Sequence, residues 1–455
     1  MFTKILSWVK AALSRLAPSA AASELVVSPQ MQTLIEEWAR VYECRSSPSC
    51  PSLGLAAGIA AEFARLAVLE SKFTLTGARG EWMDTQLLSF RRNLRSNVEY
   101  ACALGGMVFK PYVSDGGIRV DCVQADSFFP TAFDSSGNLT GAVFVEQVTR
   151  GGKIFTRLES HEFVAGKETI RNRAFSSGSN AALGGEIALS EVAEWAEISP
   201  EVTVEGLERP LFAYFKIPLA NNKDRRSPLG VSVFAGAVEL MRQADAQLAR
   251  LLWEYEGGQL AIDVDAAAVR EVEGVVQLDQ TQQRLYRRNI NAGAGQDFYK
   301  AFTPALRDSS YLVGLEKLLK QIEFVCNLSY GTLSDPQTTE KSATEVKMAK
   351  QRSYAAVCDI QSSLQSALEH LFYAIDQLGA LYSLGTPGPW QASFTWHDSV
   401  LTDEETERQL DREDALSGFI PKWQYNADWR GMTEDEAKAA VQEASGSMPR
   451  LFPLE

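Results

Sequence analysis

The stretch from Leu328 to Val357, LSYGTLSDPQTTEKSATEVKMAKQRSYAAV, joins two strongly helical segments. It holds one proline, six Ser/Thr residues between Thr332 and Thr344, and no bulky hydrophobe after Leu333 until Val346. That composition makes exposed connecting chain rather than core. Upstream, ALRDSSYLVGLEKLLKQIEFVCNLSYG puts Tyr311, Leu315, Leu318, Leu319, Ile322 and Val325 on one helical face. Downstream, Val357, Leu364, Leu368, Leu371, Ile375, Leu378 and Tyr382 recur mostly at helical spacing in a helix predicted from Ala343 to Ser383. Such a helix spans about 60 Å. It needs a partner surface along its length, from the same chain or from a neighbouring subunit. Lys341, Lys347, Lys350 and Arg352 crowd the loop and the helix start. Read locally, they support the helix start and form ion pairs. Positive charge at a helix N-terminus opposes the macrodipole, so Lys341 there has no obvious stabilising reason.

Working toward the N-terminus, SPLGVSVFAGAVELMRQADAQLARLLWEYEGG predicts another long helix. Ser227 is the expected N-cap, Pro228 takes the first position, and Gly257-Gly258 ends it. Val233, Ala237, Leu240, Ala244, Leu248, Leu251 and Tyr255 form its stripe. A compact, alternating segment lies between the two helices and includes RLYRRNI. Its Arg284, Arg287 and Arg288 are candidates for contacts to other subunits or docking proteins, with a solvated basic face as the alternative.

Earlier still, residues 31–44, then LGLAAGIAAEFARLAVLE, then Asp84 to Leu104 read as helices, the last stopped by Gly105-Gly106. From there apolar and polar residues alternate, with turns at Asp115-Gly116-Gly117, Ser136-Gly137-Asn138 and Gly151-Gly152. That is the signature of an antiparallel meander, with PLFAYFKIP a further strand. The tail offers a strand in WQASFTWHDSV and two short helices, one opened by a Thr433/Glu436 capping box. The expected class is α+β. Phe2, Ile5, Leu6, Val9, Leu13 and Leu16 make a short amphipathic helix of the N-terminal segment, and Lys10 and Arg15 break any signal-peptide core. No uncharged apolar run of about 20 residues exists, so no transmembrane span and no membrane partner is expected.

The chain has 455 residues, 45% of them hydrophobic, and a formal net charge of -14. The first two figures exclude a mainly disordered protein. The third argues against simple phosphate-gripping nucleic-acid binding, which rests on Lys and Arg. The six cysteines are scattered, which suits a reducing compartment. Cys44 and Cys50 lie near each other in a turn-rich stretch, and a bridge between them stays open. His161, His370 and His397 are far apart, so no metal or cofactor is expected. No GxxxxGK[ST] loop, GxSxG elbow or Rossmann fingerprint is present, and enzymatic activity has no positive support.

The segment from Ala305 to Leu371 closely resembles the portal proteins of tailed bacteriophages. The motifs are Arg307-Asp308…Tyr311, Leu328 to Asp335, Ser342 to Val346 and Lys350 to Tyr354, with RLYRRNI, ADSFFP and FTWHDSV as further landmarks. Asn327 stands where that family usually has Gly, and His397 replaces an acidic residue. The resemblance implies a ring of typically twelve subunits at one capsid vertex of the virion, assembled in the host cytoplasm, with double-stranded DNA passing through its axis. It also implies docking of terminase and then of head-completion or adaptor proteins, and contact with major capsid or scaffold protein. The implied map is an N-terminal segment 1–23, a wing 24–228, stem helices 229–256 and 305–328 around a clip 257–304, and a tunnel loop 329–343. A long wing helix 344–384 and a C-terminal wing strand with a small crown 385–455 complete it. The implied tunnel-loop residues are Ser329, Tyr330, Gly331, Thr332, Leu333, Ser334, Asp335, Pro336, Gln337, Thr338 and Thr339. Lys341, Lys347, Lys350 and Arg352 are the candidates to face DNA. Net acidity suits a channel that must not hold its cargo. The alternative is a capsid-associated scaffold, built from the same helices, without a channel.

Overall fold

The computed structural model describes residues 26–47, 51–69, 71–179, 183–258, 305–335, 343–396, 404–430 and 432–446. It also describes the strands at 261–265, 271–272, 275–276, 286–289 and 299–302. The chain opens with α1 (Pro29–Tyr42), capped by Ser28 Oγ, which accepts from the Met31 amide at 3.0 Å. Then come α2 (Leu55–Val68), β1 (Ser71–Thr76), α3 (Ala78–Gln86) and α4 (Leu88–Leu104). The single helix expected from Asp84 to Leu104 is therefore two. The break falls at Leu87, whose side chain is fully buried, so packing of that residue decides the path over propensity. The predicted stop at Gly105 holds: it lies at φ 91° and its amide donates to the Ala101 carbonyl.

The meander follows as β2 (Gly106–Ser114), β3 (Gly117–Gln124), β4 (Phe128–Phe133), β5 (Leu139–Arg150), β6 (Lys153–Val164), β7 (Lys167–Ser177), β8 (Gly185–Ile187), β9 (Glu201–Glu205) and β10 (Ala213–Lys216). Strands β4 to β8 pair antiparallel in chain order, and β9 also pairs with β7. Strands β10, β2 and β3 form a second sheet. Asp115 (φ 52°) and Gly116 (φ 71°) both take the left-handed conformation at the β2–β3 turn, where the twist of a two-residue hairpin demands it.

Helix α5 (Val238–Gly257) is shorter than expected. Residues 229–237 are not helical, and Ser227 is not its N-cap. The reason is tertiary. Val231, Val233 and Phe234 enter the core, and the Val233 amide donates to the Cys102 carbonyl at 2.9 Å. Gly230 crosses Gly105 so closely that a Cβ on it would lie 2.0 Å from the Gly105 oxygen. Tyr255, read as part of the stripe, is 40% exposed.

Beyond α5, β11 (Ala261–Asp265) pairs parallel with β14 (Tyr286–Asn289) and antiparallel with β15 (Tyr299–Phe302). A small hairpin joins β12 (Glu271–Val272) to β13 (Val275–Val276). Helix α6 (Asp308–Val325) then returns along α5. The last part is α7 (Ala343–Leu381), β16 (Gln391–Trp396), α8 (Glu404–Ser417), α9 (Lys422–Arg430) and α10 (Glu434–Gly446). β16 pairs with β1 over six residues, which brings the C-terminal part back to the start of the chain. Val357, Leu364, Leu368, Leu371, Ile375 and Leu378 of α7 are buried against the same chain's helices and sheets, as their spacing predicted. Each such side chain contributes about 1.5–3 kcal/mol on burial. Tyr382 does not join them. The helix ends at Leu381 with Ser383 at φ 54°, and Tyr382 is 54% exposed. Buried Arg79 ties this end down, donating from Nε to Asp376 Oδ1 and from Nη2 to the Asp376 carbonyl, both at 2.8 Å. Among the described residues no helix is long and apolar enough to cross a membrane.

Candidate functional site

Helices α5 and α6 form an antiparallel hairpin with the β11–β15 module at its far end. At that end, the Arg307 backbone amide and Nε donate to Glu254 Oε1 at 3.1 Å, and Nη2 donates to Oε2 at 2.7 Å. The Arg307 guanidinium also lies 5.7 Å from the centre of the Tyr311 ring. Hydrogen bonds from Arg307 hold the Glu254 carboxyl below the usual range. A planar fork on a carboxylate fixes direction as well as distance, which Lys would not do. The Arg307-Asp308…Tyr311 motif thus closes the helix pair where the small sheet begins. Midway, Gln247 Nε2 donates to the Tyr311 carbonyl at 3.2 Å.

At the near end α6 stops in a Schellman turn. Asn327 lies at φ 58°, and the Leu328 amide donates to the Glu323 carbonyl at 2.8 Å. Left-handed backbone favours Gly and tolerates Asn, which accounts for both the family's usual Gly and the Asn here. The chain then folds back onto α6. Glu323, fully buried, receives the Gly331, Leu333 and Ser334 amides on Oε1 at 3.1, 2.6 and 2.9 Å, and the Ser334 hydroxyl on Oε2 at 2.8 Å. Glu316, two turns earlier on the same face, accepts from the Asp335 amide at 3.2 Å. Ser353 of α7 holds the other side, its hydroxyl accepting from the Ser329 amide at 2.7 Å.

The expected loop residues therefore divide. Ser334 is 4% exposed, and Leu333 packs against the core. Tyr330, Thr332 and Asp335 are exposed. Pro336, Gln337, Thr338, Thr339 and Lys341 lie outside the described residues, as do Arg284 and residues 1–23. Lys347 and Lys350 sit on α7, and Arg287 and Arg288 sit on β14 opposite Asp263 and Val264, their side chains outside the described set. Arg352 is placed in full. Its guanidinium lies 4.2 Å from the centre of the Phe324 ring, and Nη1 donates to the Phe324 carbonyl at 3.5 Å. A cation at the C-terminal turn of α6 complements that helix's dipole.

Sequence reading missed Glu254, Glu323 and Ser353. Acidic residues are common in this chain, and no spacing marks these as special. The one available signal is that Glu323 sits on the face that Ile322 and Leu319 border, where a carboxylate needs a partner. Of the cysteines, Cys44 carries a thiol that donates to the Val41 carbonyl, and Cys50, its candidate partner, lies outside the described residues. Burial pushes the Cys326 thiol, beside the loop base, up to about 12, which makes it inert as a nucleophile. Among the described residues no His/Cys/Asp/Glu group could hold a metal ion.

Comparison with known proteins gives three results. No curated protein matches. Two solved structures align across 93% of this chain at 11% identity and a TM-score of 0.44. One is from the virion of a native gene transfer agent particle and is covered to 99%; the other is from the neck of that particle computed with C12 symmetry and is covered to 98%. At that score the likeness carries no argument. The family model for phage portal proteins of the SPP1 Gp6-like type matches residues 74–444, which takes in the end of β1, the whole meander, both hairpin helices, the loop base and nearly all of the C-terminal helices. On that match, the chain belongs to the SPP1 Gp6-like family of phage portal proteins.

Proposed function

We propose that this chain forms the ring-shaped channel at one capsid vertex through which double-stranded viral DNA is packaged and ejected, with twelve subunits in the ring. In that reading α5 and α6 are the stem and the small sheet between them is the clip. The segment from Ser329 is the tunnel loop, α7 is the long wing helix, and α8 to α10 make a small crown. The clip end is the docking platform for terminase and later for head-completion proteins, with Arg287 and Arg288 on its strand β14.

The observation that carries the reading is family membership combined with an apolar surface that one subunit leaves open. Trp253 is 66% exposed, Val313 56%, Leu312 47% and Phe324 47%, all on the hairpin. A ring buries such faces in a heterologous, closing interface. The formal charge of -14 is consistent with a conduit that does not grip phosphates.

Electron microscopy of the purified chain tests it. The expected particle is a ring with an axial hole wide enough to pass a DNA duplex. A closed assembly, or one with no axis, would favour the scaffold reading instead. Lys341→Ala is expected to leave ring mass unchanged while altering packaged or retained DNA. Normal packaging with broken rings would return that lysine to a subunit-contact role.

A further inference from the structure

We propose that Glu323 is the positioning residue of the loop: its buried carboxylate sets where and in which direction the chain leaves α6. This rests on the channel reading above for its consequence, but not for its geometry. A carboxylate side chain with no exposure must have its lone pairs filled from within the protein. Here three backbone amides and one hydroxyl fill them, all from Gly331 to Ser334. Its own carbonyl accepts the Leu328 amide, so backbone and side chain of one residue organise both the helix stop and the fold-back.

The direction follows from Glu316. The Gly331, Leu333 and Ser334 amides meet Glu323, the Thr332 amide donates to the Ser329 carbonyl, and the Asp335 amide meets Glu316, seven positions before Glu323. Seven residues of helix are about 10 Å. The Ser334 and Asp335 amides belong to consecutive residues, about 3.8 Å apart at Cα, so the Glu323 and Glu316 side chains reach toward each other to meet them, and the limb is turned back toward the N-terminal part of α6. Ser353 pins Ser329 from the opposite helix, and Arg352 stacks on Phe324, so the limb starts from a point fixed by both α6 and α7. Of the expected loop, Ser329 to Asp335 belong to this anchored limb. The exposed Tyr330 and Thr332 are presented by it at a set height.

Amide hydrogen exchange on the full chain, read residue by residue, tests the inference. Glu323→Ala is expected to speed exchange at Gly331, Leu333 and Ser334 by about tenfold or more, since each loses a bond to a charged acceptor. Amides in the middle of α7 should be unchanged, and ring mass should be retained. Glu323→Gln keeps an acceptor at Oε1 and an amide group that can donate to Ser334 Oγ, so protection and DNA content of assembled particles should largely return. Should the Ala variant fail to fold, Glu323→Asp keeps the charge but withdraws it by one methylene, and the same acceleration is expected. Unchanged exchange in the Ala and Asp variants would overturn the proposal. So would particles that lose DNA equally with Ala and Gln. Accelerated exchange in a chain that forms no channel would leave the positioning role intact and remove the channel reading.

Discussion

The long helix α7 and the hairpin of α5 and α6 are equally legible as amphipathic helices, yet they end in opposite situations. The stripe of α7 is covered by its own chain from Val357 to Leu378. The hairpin covers only its inner face, through Met241, Ala244, Leu251 and Ile322, and leaves Leu252, Trp253, Leu312 and Val313 in solvent. The hairpin's ends are held by polar clamps instead, Glu254 with Arg307 at one and Glu323 with the loop at the other. Periodicity says that a helix has a partner. It does not say whether the partner lies in the same subunit.

The largest effect expected is in the self-contained region. His161 is buried between two carboxylates, Nδ1 at 2.7 Å from Glu168 and Nε2 at 2.9 Å from Glu159, with Lys110 and Arg157 bonded to the same cluster. Burial alone would lower its pKa, but hydrogen bonds to Glu159 and Glu168 reverse this and raise it. Glu159 is pressed upward by burial and held well below its ordinary value by Lys110, His161 and Arg157. His161→Gln should cost about 3–5 kcal/mol by urea unfolding near pH 6, because it leaves buried charge uncompensated. The sign with pH is definite. A raised histidine contributes in full below its unfolded value of 6.5 and loses its contribution as pH rises through the folded value. The advantage of the native chain over the variant should therefore shrink on going alkaline. It should also shrink in acid, as pH falls through the depressed Glu159 value. An advantage that grows above neutrality would show that the imidazole is held neutral.

Next in size is the covered helix. Leu371→Ala should cost the protomer about 2–5 kcal/mol in the same unfolding measurement. The smallest effect on the protomer is expected on the outer face of the hairpin. Trp253→Asp should move unfolding by no more than about 0.5 kcal/mol while shifting mass by light scattering from ring to small species. If Trp253→Asp instead unfolds the protomer, or leaves assembly whole, the contrast between the two helical regions fails.

Much of this was readable beforehand. The turn at Asp115-Gly116 and the stop at Gly105 depend on left-handed backbone that few residues accept. The Thr433/Glu436 capping box forms as expected, the Thr433 amide donating to Glu436 Oε2 at 3.0 Å. The failures share a cause. Residues 229–237 have helical spacing, but the Gly105–Gly230 crossing and the bond from Val233 to Cys102 hold them in a turn. Leu87 splits a predicted helix because its side chain has a place in the core. In each case a long-range contact outweighs a local preference that is worth only tenths of a kcal/mol per residue.

By itself the sequence determined the α+β class, the long helices and the central meander, most turns, and the family motifs around Leu328, because capping, periodicity and left-handed turns act over a few residues. Only the tertiary structure decided that β16 returns to β1, that α7 is satisfied within the subunit while the hairpin is not, and that Glu323 gathers the loop. Those outcomes depend on which groups the fold brings within about 3 Å of one another, and hydrogen bonds at that range carry no mark in residue spacing.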